Sequence, residues 1–241
     1  MQARHHKIVT ALPGPSPQWR DLATFFTETR SCFAAYLAME GAEVVEGEKP
    51  GNLVNLVNRD RSCGLNPYRL WKECGTELLS GTGLTALELI DRGDSMLIYL
   101  YRIDLLREIM SRRGVTIILG RQGYQPDDLQ GTLHQLRERL QSGAFPHEIG
   151  IFLGYPLKDV LAFMGQIRLA FSCQGPWKIY GDPVPSLELA CRYRECRWKM
   201  ADRLRSAAVP ASCLQARRAL SATPSIPAWT SQPPIHLHKA G

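Results

Sequence analysis

Cys32, His147 and Glu148 are the residues of this chain whose types could carry nucleophilic chemistry. A cysteine attacks as its thiolate, and the positive end of a helix favours that form. Ser31 precedes Cys32 as a candidate cap, and a helix starting there would hold the thiol in its first turn. His147 opens a dense apolar segment, FPHEIGIFLGYP. It could take the thiol proton, and Glu148, Lys178, Tyr180 or Asp182 could orient the imidazole. The expected function is a cysteine-dependent hydrolase or transferase.

A plainer reading stands beside it. Free cysteine is among the most buried residue types, so Cys32 could be a small core residue, with His147 and Glu148 capping a turn. A second function class is then a non-catalytic binding or adaptor protein. Its candidate surface is a basic stripe of Arg192, Lys199 and Arg203, which fall at i, i+7 and i+11 within about 40° on a helix. That stripe would take an acidic partner or nucleic acid at the C-terminal end; a plain solvated face is its other reading. No cofactor and no metal are expected: His147, Glu148, Cys173 and Asp182 lack ligand spacing. The 80–83 loop (SGTG) lacks the phosphate-binding pattern and reads as a turn.

The elements that must position these groups follow from periodicity. A helix is expected from Pro17, with the question of a break at residues 29–31. Residues 94–101 (DSMLIYLY), 148–153 (EIGIFL) and 177–180 (WKIY) read as strands of one sheet, being short, apolar and bounded by turn residues. Residues 103–110 read as a helix. Leu129, Leu133, Leu136 and Leu140 form an apolar stripe and give the clearest helix. Pro156 and Pro185 each start another, the last reaching about Arg205. The fold class is α+β, a small mixed sheet with flanking helices. Cysteine on a helix followed by histidine on a strand is also the chain order of papain-like thiol hydrolases.

The net charge of +6 is uneven. Residues 191–241 carry nine Lys/Arg and two Asp/Glu, whereas residues 1–190 are at −1. A basic end on a neutral body argues against nucleic-acid binding by the whole domain. Seven cysteines without C-x2-C spacing suggest reduced thiols and a cytoplasmic location. No apolar run approaches the ~20 residues of a membrane span. The expected organisation is a flexible leader at 1–16, one α+β domain at 17–205, and a disordered basic tail at 206–241, proline-rich and free of acids.

FPHEIGIFLGYPLKDV followed by PWKIYGD, with MLIYLYR upstream, resembles the bacterial family known as domain of unknown function 3793, over roughly residues 30–200. The resemblance implies the fold boundary and brings no activity with it. It also implies a His-Cys pair near the start, where this chain has Ser31 and Cys32. Pro176 stands where a cysteine is frequent before the tryptophan.

Overall fold

The structure, a computed structural model, describes residues 15–61, 63–143 and 145–217. The expected leader up to residue 14, and the tail beyond residue 217, lie outside the described residues.

The organising element is a three-stranded antiparallel sheet of β1 (Gly51–Val57), β2 (Thr85–Asp91) and β3 (Ser95–Tyr101), in the order β1-β3-β2. Gly51 and Thr85 both pair with Tyr101, and the β2 ladder is shifted by a bulge between Glu88 and Ile90. Side chains alternate across a strand, so the sheet sorts its residues into two layers. Val54, Leu56, Met96, Ile98 and Leu100 face one core; Leu53, Leu87, Leu89, Tyr99 and Tyr101 face the other. The central strand β3 is buried on both sides, which is why its sequence reads as an unbroken apolar run.

The first layer holds α1 (Thr29–Glu40), α2 (Ala42–Val45), α3 (Pro67–Leu70), a π-helical turn (Trp71–Gly75) and α4 (Thr76–Leu79). The π turn lets Gly75 lie under the Trp71 ring, where a β-carbon would come within 2.4 Å of it. The second layer holds α5 (Ile103–Met110), α6 (Arg113–Arg121), α7 (Leu129–Gln141), α8 (Ile149–Phe152) and α9 (Leu157–Phe163). A hairpin, β4 (Phe171–Gln174) with β5 (Lys178–Tyr180), forms a separate two-stranded sheet. The long α10 (Val184–Ser206) then returns to the first layer through Met200, Ala201 and Leu204.

The α+β class is observed, and all strand pairs are antiparallel rather than mixed. Four expectations are corrected. Residues 148–153 are not a strand: α8 is a single helical turn with all four residues buried, ended by Gly154 at φ +71°. A fully buried run has no polar face, so periodicity cannot separate strand from helix. Residues 178–180 are a strand, but of the second sheet, not of the sheet containing β3. No helix starts at Pro17; Trp19–Asp21 and Ala23–Phe25 are 3-10 turns. Structure also continues past Ser206. Pro210–Leu214 is a 3-10 helix whose Cys213 and Leu214 are buried in the first core, and Ala216 and Arg217 donate backbone bonds to Thr82 and Val45 at 2.8 Å. A few well-placed apolar residues, with backbone partners waiting, suffice to order this stretch.

Candidate functional site

The signature segments meet around one buried carboxylate. Asp159, 2% exposed in the first turn of α9, accepts the Trp177 indole N–H at 2.9 Å and the Ser186 hydroxyl at 2.6 Å. It also accepts the Tyr180 backbone N–H at 2.9 Å and the Lys158 ammonium at 2.7 Å. Lys158 reaches on to the Tyr180 carbonyl at 2.6 Å. A buried charge is tolerable when it is paired and its lone pairs are filled. Asp159 is filled by α9, β5, α10 and the residue before β5, so its chemistry is to fasten the hairpin.

Glu148 is spent in the same way. It is 3% exposed and accepts the Tyr124 hydroxyl at 3.0 Å and Arg139 Nη1 at 2.6 Å. Arg139 lies over the Tyr124 ring at 4.7 Å and also donates to the Gln122 carbonyl.

What the signature leaves outside is aromatic and cationic. His147 is exposed and meets the Phe163 ring edge-on, centroids 4.9 Å apart. Lys178 Nζ lies 5.4 Å from the same ring. Lys178 and Tyr180 share the outer side of β5, because Ile179 between them is fully buried. Tyr180 meets Phe171 across the hairpin at 5.9 Å. Phe163 is 43% and Phe171 57% exposed. Asp182 is exposed, and its Oδ1 accepts the Val184 N–H at 3.1 Å, so it caps α10 rather than orienting His147.

Cys32 is elsewhere. The chain does break before α1, but the cap is Glu28, which accepts the amides of Arg30 at 2.8 Å and Ser31 at 2.5 Å. Those bonds, with the Ser31 side chain first, hold the Glu28 carboxyl below its usual range. The Cys32 amide is already bonded to the Glu28 carbonyl at 2.8 Å. Its side chain is 1% exposed in the first core, and burial pushes the thiol up to about 12, with Cys63 adding to the rise. Desolvation outweighs the helix dipole here, the opposite of the expected activation. The β1-β3-β2 sheet separates Cys32 from His147, whose partner Phe163 ends α9 in the second layer. The catalytic trio of Cys32, His147 and Glu148 is therefore not assembled, and neither is a papain-like pairing.

The basic stripe is also corrected. Arg192 pairs with Glu48 at 3.2 Å, and Arg203 with Glu46 at 2.7 Å. Only Lys199 of the three is exposed. Two of the three cations of this side of α10 are thus answered by carboxylates of the 46–48 turn, Arg192 in a solvent-exposed pair and Arg203 in a more buried one.

Lys49 and its surroundings escape sequence reasoning. The residue is 7% exposed, and its ammonium is bonded to Asn52 Oδ1 and lies over the rings of Tyr155 at 5.3 Å and Tyr193 at 5.4 Å. Tyr155 stacks on Trp177 at 4.6 Å. Burial lowers the Lys49 pKa to about 8, opposed by nearby Glu43. Gly154 makes the approach possible: a β-carbon there would sit 2.6 Å from Pro50 Cδ. The one sequence signal was Tyr155 inside the signature; Lys49, beside Pro50-Gly51, reads only as a turn. Among the described residues no group of three or more His, Cys, Asp or Glu could hold a metal ion, and no helix is long and apolar enough to cross a membrane.

The sequence has a counterpart among protein families. The model of the family "Protein of unknown function (DUF3793)" matches residues 37–213. The chain belongs to that family. The match takes in the sheet, the signature cluster and residues 210–213; Cys32 lies just before it. No curated protein and no solved structure matches the chain.

Proposed function

We propose that this DUF3793 member is a non-catalytic binding module, and that its partner is a protein segment carrying apolar side chains among acidic ones. The observation that carries this is the exposed face of His147, Phe163, Lys178, Tyr180 and Phe171. Its aromatic rings offer contact area at little entropic cost, and the Lys178 ammonium supplies charge complementarity to acids. The polar groups beneath it, Asp159 and Glu148, are occupied in holding it, which leaves that face rigid rather than reactive. A protein partner is favoured over nucleic acid because residues 1–190 are at −1 and supply no field to gather a polyanion. The arginines of α10 that could add one are partly neutralised by Glu46 and Glu48.

The test is selection of a random displayed peptide library on the purified full chain. Enriched peptides should combine aromatic or aliphatic residues with Asp or Glu. The exposed double variant Phe171→Ser, Lys178→Glu should weaken them at least about tenfold. Peptides that bind the variant as well as the parent would overturn the proposal. So would poly-uridine RNA bound at this face in preference to every selected peptide.

A further inference from the structure

We infer that the partner segment binds as an added strand along the free edge of β4, an acidic chain that extends the hairpin sheet; this rests on the binding role proposed above. The two edges of the hairpin are unlike. On the β5 side, the Tyr180 N–H bonds Asp159 Oδ1 at 2.9 Å and its carbonyl accepts Lys158 Nζ at 2.6 Å, so side chains of α9 close that edge. On the β4 side, among the described residues, no backbone group of Phe171–Gln174 bonds outside the hairpin.

Which groups point outward follows from the ladder. The Gly181 N–H bonds the Ala170 carbonyl at 2.8 Å, and the Gly175 N–H bonds the Trp177 carbonyl at 3.0 Å, so the backbones of Ala170 and Gly175 face β5. Backbone groups alternate sides along an extended chain, so Phe171 and Gln174 turn theirs away from β5. Tyr180, opposite Phe171, obeys the same alternation: its groups reach Asp159 and Lys158 rather than β4. The bulge between Phe171 and Cys173 sets two residues against one. Residues two apart on a regular partner strand would therefore meet Phe171 and Gln174.

The side chains select the strand. Edges kept from pairing commonly carry Lys or Pro; β4 reads FSCQ, with neither, and three of its four residues are exposed. A strand about 4.8 Å beyond β4 would lay every second side chain beside the exposed Phe171 ring, on the side that also carries Lys178 and Tyr180. Arg168 lies three residues before Phe171, and Lys178 is opposite Gln174. Both are exposed, and among the described residues neither is in an ion pair. The acid closest in sequence, Asp182, is engaged with the Val184 amide. An acidic strand answers these cations, whereas a second copy of β4 would bring more Arg and Lys to them.

The experiment compares peptides selected on the full chain for binding to the parent and to Gln174→Pro, which removes an outward N–H and keeps Phe171, Lys178 and Tyr180. Proline is compatible with an edge strand. Affinity should fall at least about tenfold, with unchanged circular dichroism. A second measurement decides even if the proline unfolds the hairpin: one selected peptide is N-methylated at alternate residues, first in one frame and then in the other. One frame should abolish binding and the other leave it within about threefold, because only every second amide of an added strand faces β4. Peptides sensitive to Phe171→Ser, Lys178→Glu but indifferent to both methylation frames would overturn the added strand and leave the binding module standing. Peptides indifferent to that double variant would overturn both. A dimer of the full chain in sedimentation velocity, lost in Gln174→Pro, would put a second copy on the edge and overturn the acidic partner.

Discussion

Trp177 donates its indole N–H to Asp159 Oδ2 at 2.9 Å, across eighteen residues of chain. With Ser186, Lys158 and the Tyr180 amide on the same carboxylate, removing it strands several buried donors at once. Asp159→Ala should cost about 3–5 kcal/mol. Asp159→Asn, which keeps the shape but loses the charge and one accepting site, should cost about 1–3 kcal/mol. Urea unfolding measures both. A loss for Asp159→Ala within about 0.5 kcal/mol of zero, as for an ordinary surface change, would show that the hairpin is fastened by something else.

Gly154 and Gly81 provide a matched pair. Both are left-handed, at φ +71° and +72°, but a β-carbon on Gly154 would lie 2.6 Å from Pro50 Cδ and 3.1 Å from Tyr193 Oη, whereas Gly81 faces open space. Gly81→Ala should cost only the backbone strain, about 1–2 kcal/mol. Gly154→Ala should cost about 1–3 kcal/mol more from the clash. Equal melting temperatures for the two variants would remove the close approach of the Lys49–Pro50 turn from the account.

Lys49 gives the stability a pH dependence of definite sign. Burial lowers its folded pKa from 10.5 to about 8, so between those values the unfolded chain binds more protons than the folded one. Stability from this group therefore rises as pH goes from about 8 to about 10.5, by roughly 3 kcal/mol at full effect. The gain is lost over the same interval as pH falls, and below about 8, where both states are protonated, the contribution is flat. Buried thiols and phenols raised in the fold, Cys32 and Tyr36 among them, act in the opposite direction at high pH. The comparison is therefore parent minus Lys49→Met. That difference should climb across pH 8–10.5 in guanidinium titrations; a flat difference would mean that Lys49 is not desolvated.

Leu214 tests the ordered end of the chain. It is fully buried beside Leu204 and α1, so Leu214→Ala should cost about 2–5 kcal/mol. A chain ending at Ser206 should lose at least as much, since the Thr82 and Val45 carbonyls also lose their partners. A truncated chain melting at the parent's temperature would restore the expectation of an unstructured tail from Ser206.

The elements legible in the sequence are those whose burial leaves a periodic trace. α7 shows its leucine stripe because one face is wet and the other dry. β3 is apolar throughout because both sheet faces are covered. Pro156 and Pro185 mark the starts of α9 and α10 through the fixed φ of proline. β2 was hidden by its bulge, which breaks the alternation between Glu88 and Ile90, and α8 by complete burial.

The site was legible as a set of segments and not as an arrangement. The sequence by itself determined that FPHEIGIFLGYP and WKIYGD are dense, apolar and studded with ionisable groups. Only the tertiary structure decided that Asp159 is their anchor and that Cys32 is buried in the first core rather than set beside His147. It also decided that Arg203, 157 residues from Glu46 in sequence, is paired with it. Periodicity reports whether a residue is buried, which is a local property. The partner that buries it, and whether a charge is answered, depend on which face of the sheet each element packs against, and that is fixed by contacts between residues far apart in the chain.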